Sequence, residues 1–287
     1  MVFAWHVPVF FFISGWLWKP RRMGDEFAAR SRSLLKPYLF WLIALYAAYL
    51  GVLVASGRTT FGRLLAPIYG GSYATQPFTT FWFVFVLFAA AILWQALARV
   101  PSWARGIMLA VALGVSVYLG PQLAATPLAI GTALPALLFV AAGAWLRRLE
   151  SRRWVPWAAG VVGVTAWCLV LTGLVPPLDI KRGDWGHPLV SVIVAVAISW
   201  ALVVVAQVLC QRLSARVGSA VTGFAVCGFT IVLAHPAVLW ALSAWTETAL
   251  FVAAIALPAA VARVALGSPV AQWVTGVPRL APPKSRG

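Results

Sequence analysis

Pro188 to Leu209 read PLVSVIVAVAISWALVVVAQVL, a run without a single charged side chain. As a helix rising 1.5 Å per residue it reaches about 33 Å, enough for a hydrocarbon core of about 30 Å. Scanned outward with the same window, the chain shows eight further runs. The nine predicted spans are 2–18, 37–56, 79–98, 107–120, 128–146, 154–175, 188–209, 220–243 and 248–266. The fourth is short, and its boundary with the fifth lies near Pro121 and Pro127. Of the 287 residues 62% are hydrophobic and 10% charged, with mean hydropathy +0.92. Six acidic residues cannot solvate a water-soluble protein of 30.8 kDa, since soluble domains carry about 25% charge. A cytosolic enzyme, a secreted scaffold and a disordered chain are excluded. The expected fold is an all-α, polytopic transmembrane helix bundle.

The net charge of +16 would suggest nucleic acid in a soluble chain; here it reads as topology, and no nucleic-acid partner is expected. Alternate connections carry 18 against 4 Lys and Arg, the richest being 19–36 with six. The loops starting at 19, 99, 147 and 210 and the tail are therefore expected on the cytoplasmic side of the cell membrane, with Met1 outside. A first span of 17 residues starting outside without a leader reads as though a preceding helix were lacking, which would give ten spans with both ends inside. A nine-span chain with a reversed signal anchor is the alternative. Residues 1–266 form the expected membrane domain and 267–287 a Pro-rich cytoplasmic tail. Cys168, Cys210 and Cys227 show no metal-binding spacing and read as buried spectators.

None of the six carboxylates falls inside a predicted span. That argues against a proton-coupled transporter, which keeps such groups at membrane depth, and against paired-carboxylate or carboxylate-metal chemistry. The remaining ionisable candidates are His6, His187 and His235, all placed toward the external leaflet by this topology, with His235 about 22 Å from the inner end of its span. For His187 and His235 the plainer reading is a structural hydrogen bond to nearby backbone; His6 differs because of the residues around it.

Around His6 the sequence runs Phe3-Ala4-Trp5-His6-Val7-Pro8-Val9-Phe10-Phe11-Phe12-Ile13-Ser14-Gly15. A proline here frees a carbonyl one turn earlier, the Phe run faces lipid or a partner helix, and the Ser14/Gly15 pair permits close helix approach. This stretch resembles the F-x-H-M-P-L-F-F-F-L-S-G element of the acyltransferase 3 family of integral membrane acyltransferases, in its sugar O-acetylase branch. Leu34-Leu35-Lys36-Pro37-Tyr38-Leu39-Phe40-Trp41 is similar to that family's R-L-L-x-P-Y-L-F-W. Phe81-Trp82-Phe83-Val84-Phe85-Val86-Leu87-Phe88 is similar to its L-W-F-L-x-x-L-F, and Ile231-Val232-Leu233-Ala234-His235-Pro236 to its Y-L-x-H-P. Family members carry an earlier helix ending in a His usually given the catalytic role, and this sequence begins after that point.

The resemblance implies transfer of an acyl group, in the first instance acetyl, from cytoplasmic acyl-CoA to a hydroxyl of a sugar or bacterial envelope glycan across the membrane. Acyl-CoA would be a co-substrate, with no resident cofactor or metal. A base must deprotonate the hydroxyl, and His suits that task at neutral pH. His6 is the first candidate base or base-orienting partner and His235 the second. Trp82 could stack on a sugar or belong to an interfacial aromatic belt, and Ser14 and His187 join it as candidate acceptor-binding residues. Arg21, Arg22 and Arg32 could hold CoA phosphates or contact anionic lipid. The competing functions are a flippase or exporter of a lipid-linked sugar and a catalytically inactive family member. The sequence does not specify an oligomeric state.

Overall fold

A computed structural model describes residues 6–279. The described residues form thirteen α-helices and no named strand. These are α1 (Pro8–Trp16), α2 (Met23–Arg30), α3 (Lys36–Ala55), α4 (Phe61–Tyr69), α5 (Phe81–Leu97), α6 (Ser102–Ala124) and α7 (Ala133–Leu146). They continue with α8 (Val155–Leu171), α9 (Pro188–Arg212), α10 (Ala215–Ala225), α11 (Gly228–Ala241), α12 (Glu247–Leu266) and α13 (Ala271–Thr275). Each predicted span contains helix among the described residues, the first only over Pro8–Trp16. Five helical runs are long and apolar enough to cross a membrane, and α10 with α11 makes a sixth if the bent pair counts as one span. Helices α5 and α8 are shorter apolar helices. Tyr118 is 84% exposed, Trp157 81%, Val264 79% and Phe251 68%. Apolar surface of this kind is covered by lipid rather than water. The protein is an all-α polytopic membrane bundle.

Three boundaries differ from expectation. The fourth span is a 23-residue helix, α6, rather than 107–120; it runs through Pro121 by kinking at Leu119, where φ is −119° and ψ 19°. The basic segment 19–36 is helical from Met23, with no proline between Met23 and Lys36 to stop it. It joins α3 through one π-turn, Ser31–Leu35, that ends two residues before Pro37. Widening the helix there accommodates a ring that would otherwise press on the carbonyl four residues back. The eighth span is broken between Ala225 and Gly228 and bent by 53°. His235 therefore lies eight residues beyond the break at Cys227, about 12 Å of helix rise, and the 22 Å expected of a straight span does not apply. Helices α4 and α13 occupy segments read as connection and tail.

The chain divides into two compact units, one of residues up to Glu26 with Phe85–Ser214, the other of Phe27–Val84 with residues from Ala215 on. In the first, α1 packs on α7 and α9, and α8 on α9. Phe12, Trp16, Val155, Ala159, Trp200 and Val204 form its central apolar cluster. The α1–α7 crossing is backbone to backbone: a Cβ on Gly15 would lie 1.9 Å from Val140 O and one on Gly143 2.1 Å from Phe12 O. Small residues at such crossings supply the close packing that replaces hydrophobic drive between helices in lipid. Arg147 Nη1 secures the same corner by donating to Trp16 O at 2.7 Å. The 172–187 connection folds against α6, and burial holds the Lys181 ammonium below its ordinary range, against Asp179 and together with Arg182.

In the second unit α11 packs on α12 and α3, and α13 on α3 and α12. Trp41 Nε1 and Thr230 Oγ1 each donate to Val274 O at 3.0 Å, fixing α13 between α3 and α11. Gly276, with φ of 76°, ends α13 against Ser33 O, where a Cβ would stand 2.3 Å away. The carbonyl it meets is the one left without its helical donor by Pro37.

Candidate functional site

His235 sits on α11 of the second unit, half-buried, and is followed by Pro236. Proline has no N–H, so the Val232 carbonyl four residues earlier loses its helical donor. Two side chains take up that oxygen: Thr80 Oγ1 donates to it at 2.8 Å, and His235 Nδ1 lies 3.1 Å away. His235 Nδ1 also lies 2.9 Å from Ile231 O. Carbonyls accept only, so a neutral ring so placed carries its proton on Nδ1 and presents a lone pair at Nε2. A His of that tautomer, oriented by acceptors behind it, has the arrangement of a general base. Thr80 was not among the sequence candidates. The His-Pro pair signals a freed carbonyl, but nothing in the sequence names a partner 152 positions away.

In the first unit His6 precedes α1 and is half-buried. The carbonyl that Pro8 would free belongs to Ala4, outside the described residues. The phenylalanines that follow divide, with Phe10 facing outward and Phe11 and Phe12 buried. Ser14 lies buried beside Gly15, and its Oγ has no hydrogen-bond partner among the described residues. His187 is exposed at the start of α9; its N–H donates to Ser191 Oγ at 3.2 Å, and Ser191 Oγ donates in turn to Pro176 O at 3.0 Å. Trp82, in the second unit, is 4% exposed and stands edge-on to Phe83 at 6.3 Å.

The arginines fall in different settings. Arg21 is exposed and pairs with the buried carboxylate of Glu26 at 3.6 Å. Its carbonyl accepts from Gln95 Nε2 and, at 3.0 Å, from Arg99 Nη2, while Trp18 Nε1 donates to Gln95 Oε1 at 2.6 Å. This knot fixes the chain leaving α1. Arg22, in the first unit, and Arg32, in the second, are exposed. His187-Pro188 in the first unit and His235-Pro236 in the second are adjacent pairs, while His6 stands two positions before Pro8. A groove of about 860 Å³ in the second unit carries Arg216 and Arg263 in its lining.

Searches of the curated proteins and of the solved structures found no match. A family model described as an acyltransferase domain matches residues 1–271, nearly the whole described chain. Its match includes the His6 element, the Pro37 and Trp82 segments and the His235-Pro236 pair. The chain belongs to the acyltransferase 3 family of membrane acyltransferases.

Proposed function

We propose that the protein is an acyl-CoA-dependent O-acyltransferase that acetylates a hydroxyl of a sugar or envelope glycan, and that His235 Nε2 takes the acceptor proton. The observation that carries this reading is the ring of His235 held by Ile231 O and Val232 O. In the step, the acceptor oxygen attacks the thioester carbonyl as its proton passes to Nε2. The new C–O bond forms, the C–S bond breaks, and the thiolate leaves to take up that proton as CoA thiol. The two carbonyls facing Nδ1–H would stabilise the imidazolium formed on the way. His6 is the second candidate, as base or as partner orienting the acceptor. Ser14, His187 and Trp82 are proposed for the acceptor, and Arg21, Arg22 and Arg32 for the donor's phosphates. The charge distribution favours the cell's inner membrane with the C-terminus cytoplasmic.

Membranes from expressing cells, given radiolabelled acetyl-CoA, should accumulate label in a glycan fraction; no transfer would overturn the assignment. His235→Ala should lower transfer by about 10²–10⁴ at unchanged expression. Wild-type rates in that variant would remove His235 from the chemistry and leave His6→Ala as the deciding substitution.

A further inference from the structure

The second unit is poor in acid. In 27–84 and 215–287 the one acidic residue is Glu247, at the N-terminal end of α12, while Arg263 occupies its last turn sixteen residues later, about 24 Å away. At the Arg263 end lies the groove of about 860 Å³, lined by Arg216, Ser219, Thr222, Phe224, Ala259 and Arg263 among others. No carboxylate lines it. Neither arginine has a hydrogen bond or ion pair among the described residues. Arg216 belongs to the first turn of α10, where no acid offsets the helix's positive end. Gly223 of the same helix clears a place for Arg263, whose Nη1 would stand 3.1 Å from a Cβ there. Two uncompensated guanidiniums and a helix start therefore share a groove that Phe224, Val226 and Ala259 also line.

Charged side chains at the ends of membrane helices sit at headgroup depth. Helix α10 fits that level: it has no buried residue, and Val217, Val221 and Phe224 form an exposed apolar stripe at helical spacing. A ligand matched to the groove has an anionic phosphate for the fork of a guanidinium and an acyl chain for the apolar wall. We infer that the Arg216/Arg263 groove is a binding site for an anionic phospholipid, its phosphate held by the two arginines and its chain laid against Phe224 and Ala259. The site is independent of the acyl-transfer reading and of which face of the membrane it occupies.

The test is native mass spectrometry of the full chain, purified in a non-ionic detergent and titrated with phosphatidylglycerol or phosphatidylcholine. The protein should retain phosphatidylglycerol preferentially. Arg216→Ala/Arg263→Ala should weaken the first binding event roughly tenfold to thirtyfold, and Arg216→Lys/Arg263→Lys should recover part of it. Arg58→Ala/Arg63→Ala, which removes two charges elsewhere in the same unit, should change nothing. Arg216 is exposed, so Arg216→Gln alone keeps the fold and should still lower retention. Equal retention of both lipids, or retention unaffected by Arg216→Gln and the double alanine variant, overturns the proposal. Displacement of the lipid by millimolar inorganic phosphate or by CoA overturns the lipid assignment in favour of a soluble anion.

Discussion

At the crossing of α1 and α7, Gly15 and Gly143 admit no side chain, whereas on α10 Gly218 has nothing within 4 Å of where its Cβ would stand. One region is set by contact between backbones: Gly15 meets Val140 O, Gly143 meets Phe12 O, and Arg147 closes the corner on Trp16 O. The other is a surface helix with Val217, Val221 and Phe224 turned outward. Glycine in a membrane helix therefore has no fixed meaning; its energetic sign depends on what lies opposite.

The same Gly→Ala substitution should act with opposite sign in the two regions. Gly15→Ala drives a methyl into Val140 O and should cost at least about 3 kcal/mol, beyond ordinary overpacking. The variant should aggregate after mild heating when followed by fluorescence-detected gel filtration, and wild-type behaviour would refute the close crossing. Arg147→Ala removes a charged donor from Trp16 O, partly exposed to solvent, and should lower the same midpoint by an amount equivalent to about 1.5 kcal/mol. Thr80→Val, in the second unit, removes the hydroxyl bound to Val232 O and should cost about 1 kcal/mol while leaving His235 Nδ1 its contact with Ile231 O. Gly218→Ala should reverse the sign, stabilising α10 by somewhat less than about 1 kcal/mol, because an alanine there loses less freedom on folding and meets no neighbour. A loss of stability at Gly218 would show that α10 is packed after all.

Much of the fold was legible because hydropathy at membrane length dominates every local preference. Every predicted span contains helix among the described residues, and the Ser14/Gly15 pair marks a close approach that Gly15 does make. What escaped was pairing and local geometry. Gly114 and Gly160 resemble Gly143 in sequence context yet face open space, so composition could not single out the partner of α1. Proline suggests a boundary in sequence, but at Pro121 the helix kinks and continues, and before Pro37 a wider turn absorbs the ring. The bend near Cys227 involves no proline and left no comparable mark. Of the candidate site, His235 and its proline were visible, while the hydroxyl of Thr80 depended on long-range packing.

The glycine crossing also constrains how the chain is assembled. Val140 emerges from the ribosome 125 positions after Gly15. At about 5–20 residues per second, α1 must wait on the order of ten seconds before α7 exists to receive it. During that interval its small-residue face is offered to lipid or to the insertion machinery, so the first helix docks late although it is made early.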